Sequence, residues 1–224
     1  MHRRARHFSM KAAGATLAFD ARRISGVADG ALLSTWQNDA DPTVNATASS
    51  TLEPTYTETG MGGLPSVRFV TGKYMSFTAK AADPCTFVAV YRKTSGMGLI
   101  PLGNDSSTSG PHPIYDFTDS RFYVANAAGY KSSLGGNRTS PTVVATKIEA
   151  SNSFTLRVNG ATITLGVLTN LAGQTTINRV GSRANTNTSN GDMSLIAFIQ
   201  SGIAVSLIRR LEHAAAFSFK IKCS

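Results

Sequence analysis

The chain has 224 residues, of which 42% are hydrophobic and 16% are charged, so it can build a sizeable core and is not expected to be disordered. Lys and Arg number 22 against 13 Asp and Glu, which gives a formal net charge of +9. No apolar run approaches the roughly 20 residues that span a bilayer, and no apolar stretch typical of a secretory signal follows the basic start. We therefore expect neither membrane insertion nor an export signal.

The first residues of the chain carry positive charge without any acid, in the form of Arg3, Arg4, Arg6 and Lys11. We divide the chain into a basic N-terminal arm, residues 1–14, and a single domain, residues 15–224. One interpretation of the arm is a solvated segment, and the other is a segment that docks on an acidic partner surface or on nucleic acid. Because the chain has no recognisable nucleic-acid motif, nucleic acid is the weaker of these partners.

The first half of the domain predicts short strands separated by polar turns. The segment "GATLAFDA" is the first of them, and the only tryptophan, Trp36, follows in an apolar segment that favours core packing over a sugar platform. The segment Cys85–Arg92, "CTFVAVYR", is rich in β-formers and nearly all apolar, which predicts a central strand. Shorter strands are predicted at residues 55–57, 66–70 and 74–78.

The second half alternates strand patterns with polar segments. Strands are predicted in "IYDF", "RFYVA", "TVVATKIEA", "TTINRVGS" and "MSLIAFIQ". In "SFTLRVNGATITLG", apolar and polar residues alternate on both sides of Asn159-Gly160, whose tolerance of positive φ predicts a tight β-hairpin. The segments rich in Gly, Ser, Asn and Pro predict loops at residues 103–113, 126–141 and 183–192.

One helix is predicted near the end of the chain, within "IAVSLIRRLEHAAAF". Its apolar residues fall at helical spacing, and Arg209, Arg210 and Glu212 are expected to face solvent. A final short strand is predicted in "FSFKIK". Many short strands with one helix indicate an all-β domain built from two antiparallel sheets.

Seven segments, in chain order, resemble the laminin-G-like branch of the concanavalin A-like lectin/glucanase domains, in their bacterial and phage forms. They are "LAFDARRISGVADGALLSTWQNDA", "EPTYTETGMGGLPSVRFVTGKYMSF", "TFVAVYR", "LRVNG", "INRVGS", "GDMSLIAFIQ" and "RRLEHAAAF". The resemblance runs from Ala15 to Phe217. It implies a jelly-roll β-sandwich of two curved antiparallel sheets, with ligand sites on the concave face or on rim loops, and a scaffold role for Asn159 and Gly160.

The patterns that would indicate an enzyme are missing from the sequence. The glucanase branch carries a strand patterned E-x-D-x-x-E, whose alternation places acid and nucleophile on one face, and no such spacing occurs here. The histidines are His2, His7, His112 and His213, and none accompanies a nucleophile motif or a metal-ligand spacing. We expect no catalytic residues and no enzymatic activity.

Sugar binding requires aromatic surfaces beside polar groups that can hydrogen-bond hydroxyls. The neighbouring polar segments supply a candidate rim set, provided that they converge at one end of the sandwich: Asn104, Asp105, Tyr115, Arg121, Tyr123, Tyr130, Arg183 and Asn187. No cofactor is expected beyond calcium, whose candidate ligands are Asp105 beside Asn104, or Asp192 beside Asn190, although ordinary turn chemistry also explains these residues. Cys85 and Cys223 are expected to be free buried thiols, with a disulfide as the alternative.

Two functions remain open at this stage. The first is a phage virion decoration or fibre-type subunit, made in the host cytoplasm, whose basic arm clamps an acidic neighbour and whose sandwich adheres to surface glycans. The second is a lectin-like adhesion module of a bacterial surface protein. In both cases we expect a homo-oligomer or a subunit of a larger complex, with protein and polysaccharide partners and without nucleic acid or membrane.

Overall fold

The structure is a computed structural model that describes residues 10–94, 98–105, 112–116, 121–125, 129–134, 138–149, 153–166, 169–170, 176–183 and 187–223. Three of the predicted arm residues, Arg3, Arg4 and Arg6, lie outside this part of the chain. Lys11 is described and exposed, and it belongs to a short 3-10 helix, Lys11–Ala13. The neighbouring Met10 and Ala13 pack against the core.

Within the described ranges, the regular structure consists of strands, two 3-10 helices and one α-helix. The second 3-10 helix is Ala21–Arg23, and the α-helix, α1, is Val205–Ser218. The strands, in chain order, are β1 (Leu17–Asp20), β2 (Thr35–Trp36), β3 (Ala46–Thr47), β4 (Thr55–Thr57), β5 (Ser66–Phe69), β6 (Met75–Ala81), β7 (Cys85–Lys93), β8 (Leu102–Gly103), β9 (His112–Asp116), β10 (Arg121–Ala125), β11 (Gly129–Leu134), β12 (Thr142–Ile148), β13 (Phe154–Val158), β14 (Ala161–Ile163), β15 (Thr169–Asn170), β16 (Thr176–Val180), β17 (Ser182–Arg183), β18 (Asn187–Thr188) and β19 (Gly191–Ile199).

The strands form four antiparallel sheets, which confirms the predicted all-β sandwich with one C-terminal helix. Sheet A has the order β14-β13-β12-β7-β19-β5-β4, and β1 pairs with the C-terminal half of β19. Sheet B has the order β2-β3-β6-β16-β8, and sheet C has the order β15-β11-β10-β9. The strands β17 and β18 pair with each other. The predicted central strand β7 lies between β12 and β19, in the middle of sheet A.

Sheet A is covered on both faces. One face packs against sheets B and C through the first core, which includes Phe87 of β7, Phe77 of sheet B and Phe122 of sheet C. The other face packs against α1 through the second core, in which Val88 and Val90 meet helix residues. Because both faces are buried, β7 and β19 are apolar almost throughout rather than alternating. Trp36 is 1% exposed in the first core, as its apolar neighbourhood predicts.

Several predicted boundaries are wrong. The regions predicted as loops at residues 126–141 and 183–192 contain the strands β11, β17 and β18, and β9 already begins at His112. The predicted final strand "FSFKIK" does not form, because α1 continues to Ser218 and Phe219 packs into the second core. Cys85 and Cys223 are both free, but Cys223 is half-buried rather than buried. Burial raises the pKa of both thiols.

The predicted hairpin is confirmed, and its turn is also a contact point for α1. Asn159 and Gly160 both have positive φ, at 48° and 89°. The prediction that Glu212 faces solvent is wrong, because its side chain is fully buried against this turn. Its carboxylate accepts hydrogen bonds from Arg157 Nε at 2.8 Å and from the Gly160 backbone N–H at 2.6 Å. The Arg157 guanidinium also donates to Thr162 Oγ1 at 2.8 Å.

None of the helices in the described ranges has the length and apolar character needed to cross a bilayer.

Replacing Glu212 with Ala should therefore destabilise the protein by about 3–5 kcal/mol, because it leaves the buried Arg157 guanidinium without its counter-charge. The measurement is urea unfolding followed by far-UV circular dichroism. The matched control is His213→Ala on the exposed side of the same helix, which should change the unfolding free energy by less than about 0.5 kcal/mol. Equal losses for the two variants would contradict the structural role of this ion pair.

Candidate functional site

The outer face of sheet C is defined by the alternation along β10. Phe122 and Val124 are fully buried in the first core, so positions 121, 123 and 125 lie on the opposite face. Arg121 is exposed and Tyr123 is half-buried, as expected for residues on a solvent-facing sheet surface. Two members of the predicted rim set thus belong to a strand face rather than to a loop tip.

The register of sheet C brings the three predicted tyrosine positions onto this face. Tyr123 pairs with Tyr115 of β9 on one side, and Ala125 pairs with Tyr130 of β11 on the other. Because paired residues in an antiparallel sheet share a face, positions 115, 123 and 130 all lie on the outer side, as does 121. Neighbouring strands are spaced by about 4.8 Å, so the three positions span roughly 10 Å.

A buried polar cluster attaches this sheet to sheet A. Asp116, at the end of β9, pairs with the inward-facing Phe122 and is fully buried. Its carboxylate accepts from Lys93 Nζ at 3.4 Å, from the Tyr91 hydroxyl at 3.4 Å and from the Arg138 backbone N–H at 3.1 Å. Burial, and secondarily the charge of Asp116, raise the pKa of Tyr91 well above its usual value. The tyrosine therefore stays neutral and donates to the carboxylate.

The segment around Arg138 reinforces the same attachment. The Lys93 backbone N–H donates to the Arg138 carbonyl at 2.6 Å, and the Arg138 guanidinium lies 5.6 Å from the centroid of the Phe122 ring. The edge strand of sheet C is thus held at Asp116 and beside Phe122 by residues of β7 and of the chain that enters β12. These contacts fix the position of sheet C relative to sheet A, and with it the position of the outer face of sheet C.

The other predicted rim residues lie beside β9. Asn104 directly follows β8, which contacts β9, and Asp105 after it is exposed. Arg183 and Asn187 occupy paired positions of the β17-β18 hairpin. This hairpin is bound to the chain leading into β8, because Ser189 Oγ accepts from the Ile100 backbone N–H at 2.7 Å. The eight rim residues therefore occupy neighbouring strands and their ends, in two adjoining groups.

Asn104 differs from the rest of the rim set in being 2% exposed. Neither its amide nitrogen nor its amide oxygen has a hydrogen-bond partner among the described residues. A buried amide without partners is costly, and such groups in proteins are usually satisfied by water or by a ligand. Asn104 is buried directly after β8, so it does not itself offer an exposed binding group.

The outer face of sheet B carries a polar row that the sequence patterns did not predict. The row runs across five strands through residues that are paired in register: Thr35, Thr47, Ser76, Arg179 and Gly103. The guanidinium of Arg179 stacks on the Tyr74 ring, 4.2 Å from its centroid. The alternation of "MSFTAK" in β6 was the available signal, since Ser76 and Thr78 are the exposed positions between buried apolar ones.

The calcium candidate at Asp192 has no free carboxylate oxygen. Arg68 donates to Oδ1 at 2.8 Å, and Arg92 donates to Oδ2 at 2.7 Å. The neighbouring Asn190 donates its amide N–H to Thr71 Oγ1 at 3.0 Å. Asp105 is exposed, and no group of three His, Cys, Asp or Glu side chains that could hold a metal ion occurs within the described ranges. Calcium at Asp105 stays a prediction.

Each of the four buried carboxylates among the described residues contacts a cation. Asp20 contacts Arg22, Asp116 contacts Lys93, Asp192 contacts two arginines, and Glu212 contacts Arg157. A carboxylate bound in this way serves structure, since a general acid or a nucleophile must face the substrate. The arrangement on the outer faces of sheets B and C can stack against a ligand and exchange hydrogen bonds with it.

The sandwich is shared with several solved structures of very low sequence identity. Trypanosoma rangeli sialidase, solved in complex with 2,3-difluoro-KDN, matches 92% of this chain with a TM-score of 0.58 and 12% identity. The HCR/D W1238A mutant matches 90% of this chain with a TM-score of 0.61 and 9% identity. The chain spans 33% of the sialidase and 51% of the HCR/D chain. These similarities show the fold.

A more distant similarity, with a TM-score of 0.46 and 13% identity, is to the CBM40 of a Ruminococcus gnavus sialidase. No protein-family model matches the sequence. The comparison with curated proteins finds no match either.

Replacing Asp116 with Asn should lower the unfolding free energy by about 3–5 kcal/mol, because the buried Lys93 ammonium loses the negative charge beside it. Urea unfolding monitored by tyrosine fluorescence measures the change. Asp105→Asn, next to the same sheet but exposed, is the control and should cost less than about 0.5 kcal/mol. A D116N variant as stable as the wild type would show that sheet C does not depend on this cluster.

Proposed function

We propose that the protein is a non-catalytic binding module that recognises a surface glycan through the outer faces of sheets C and B. The observation that carries the proposal is the register of sheet C, which puts positions 115, 123 and 130 on one face together with the exposed Arg121. Three tyrosines on adjacent strands match the aromatic surface that sugar rings require.

The neighbouring row on sheet B supplies the second requirement. Its hydroxyl side chains, Thr35, Thr47 and Ser76, are exposed and can hydrogen-bond sugar hydroxyls. Arg179 of the same row lies on the Tyr74 ring and is only 8% exposed, so it offers a ligand little surface. A ligand lying along both sheets would meet rings at one end and hydroxyl groups at the other, with Arg121 beside the rings.

The exposed Arg121 favours a glycan that carries negative charge, since a guanidinium binds a carboxylate in a two-pronged geometry. Trypanosoma rangeli sialidase shares this fold, with 12% sequence identity to this chain. It has been solved in complex with sialic acid, which is an acidic sugar. That ligand belongs to the sialidase. For this chain it suggests acidic sugars as the first class to examine.

We further propose that the chain belongs to the laminin-G-like branch of the concanavalin A-like domains, which the order of the sequence motifs supports. The proposed biological setting is a virion, in which the chain is a decoration or fibre-type subunit, and the basic residues Arg3, Arg4, Arg6 and Lys11 support it. An adhesion module of a bacterial surface protein is the alternative setting. Identification of the proteins that co-purify with the chain from its native source separates the two.

Replacing Tyr123 with Ala should weaken glycan binding about tenfold, because a ring at the centre of the proposed face is lost. The ligand is first found on a printed glycan array, screened with calcium and again with a chelator. The dissociation constant of the tightest-binding glycan is then measured by isothermal titration calorimetry. The matched control is Arg209→Ala on α1, which lies across sheet A from sheet C and should leave the constant unchanged.

Two results would contradict the proposed function. The first is an array on which neither neutral nor acidic glycans bind under either condition. The second is a glycan whose affinity is unaffected by Tyr123→Ala and Arg121→Ala while both variants remain folded. A hydrolysed array glycan would overturn the non-catalytic part of the proposal.

A further inference from the structure

The exposed side of α1 carries cations and apolar residues but no acid. Four residues at intervals of four form an exposed stripe along the helix: Val205, Arg209, His213 and Phe217. Arg210 is exposed beside them. The helix has one acidic residue, Glu212, and it is buried in the ion pair with Arg157. The solvent-facing charge of α1 is therefore entirely positive.

The apolar residues of this stripe are unusually exposed. Phe217 is 73% exposed and Val205 is 39% exposed, and they are two of the four large apolar side chains with such exposure in the described part of the chain. Neither is needed for packing, because Ile208, Leu211 and Ala215 fill the second core. An exposed phenylalanine on the same helix side as two arginines has the composition of a protein-binding surface.

The surface next to α1 carries a small positive excess, because Arg22 is paired with Asp20, Arg23 is paired with Asp39, and Lys11 is the remaining cation. A cavity of about 600 Å³ lies between β1, the 3-10 helix Lys11–Ala13 and α1, and Lys11, Arg22 and Arg23 line it together with Asp20 and Asp39. Asp20 is engaged by Arg22, whose Nη2 lies 2.6 Å from Oδ2. Because Met10 and Lys11 line this cavity, the basic N-terminal arm joins the fold on the side of α1.

We propose that this helix side, defined by Val205, Arg209, Arg210, His213 and Phe217 together with the lining of the neighbouring cavity, is the surface on which an acidic protein partner docks. The charge complementarity is set by exposed arginines without an exposed acid on the helix, and Phe217 is the apolar anchor. The surface lies across sheet A from the proposed glycan face. The inference does not depend on the glycan proposal.

The composition favours a protein over the two other anionic partners. A membrane-surface helix buries a broad apolar face in the lipid, whereas the broad apolar face of α1 is already packed on sheet A. A nucleic-acid surface is dominated by phosphate-binding cations, whereas here the cations lie between exposed apolar residues at 205 and 217. Bilayers and nucleic acid are therefore the competing outcomes of the test.

The experiment measures the fluorescence anisotropy of a labelled twelve-residue peptide of glutamates with two central leucines, added to the full chain. Reversing the helix charge with Arg209→Glu and Arg210→Glu should weaken binding at least about tenfold. The matched control is Lys73→Glu with Lys80→Glu, which changes the net charge equally but lies on β6 and the turn before it, and it should weaken binding less than about twofold. Added salt should weaken the wild-type interaction.

A second variant tests the anchor. Phe217→Ala should weaken binding of the leucine-containing peptide about fivefold. It should leave unchanged the binding of a peptide in which serines replace the leucines. Circular dichroism and urea unfolding check that the variants are folded, which is expected because Arg209, Arg210 and Phe217 are exposed. The glycan affinity of the same variants, measured separately, distinguishes loss of this surface from loss of the other.

Three outcomes would overturn the inference. One is that the acidic peptide does not bind, or binds equally to the charge-reversed helix. Another is that the control reversal on β6 weakens binding as much as the helix reversal. The third is that duplex DNA, or vesicles containing phosphatidylserine, bind more tightly than the peptide at the same ionic strength and lose that binding when Arg209 and Arg210 are reversed.

Discussion

The buried contact between Asp116 and Lys93 joins the two layers of the sandwich beneath the proposed glycan face. Lys93 stands at the end of the central strand of sheet A, and Asp116 ends the edge strand of sheet C. Burying both charges is costly, and the cost is offset only while the partners and the Tyr91 hydroxyl stay in place. The position of sheet C, and with it the alignment of its tyrosines, depends on this cluster.

Sheet A separates two surfaces of the protein, and a different buried ion pair fixes the element that packs on each of its faces. On one side the Asp116 cluster holds sheet C, and on the other the pair of Arg157 and Glu212 holds α1 against the hairpin turn. Each attachment supports one of the two proposed binding surfaces, that of sheets C and B and that of α1. These surfaces lie on opposite sides of sheet A, so a glycan and a protein partner would not compete for the same surface.

The sequence predicted what depends on local patterning. Apolar runs located β7 and β19, the Asn159-Gly160 pair located the hairpin, and helical spacing located α1. The strands that were not predicted, β11, β17 and β18, share a cause. They are polar, and their pairing is imposed by tertiary structure rather than by β-forming residues. The burial of Glu212 could not be predicted from the helix pattern, because its partner, Arg157, lies 55 positions away in the sequence, on β13.

The candidate site was predicted as a set of residues but not as an arrangement. The three tyrosines and Arg121 could be picked out in the sequence. Only the register of β9, β10 and β11 shows that their positions share a face. The row through Ser76 and Arg179 unites strands that are far apart in the chain, and no local pattern links them. Asp192 was one of two alternative calcium candidates in the sequence, and only the structure shows that its carboxylate is held by two arginines on other strands.

Hydrogen exchange of the backbone amides, compared with and without a saturating bound glycan, tests most directly whether sheets C and B form the recognition surface. The account predicts slower exchange in β9, β10 and β11 and in the β6 and β16 segments, with α1 unchanged. Protection confined to α1 and the cavity beside it, or to no segment of sheets B and C, would contradict it.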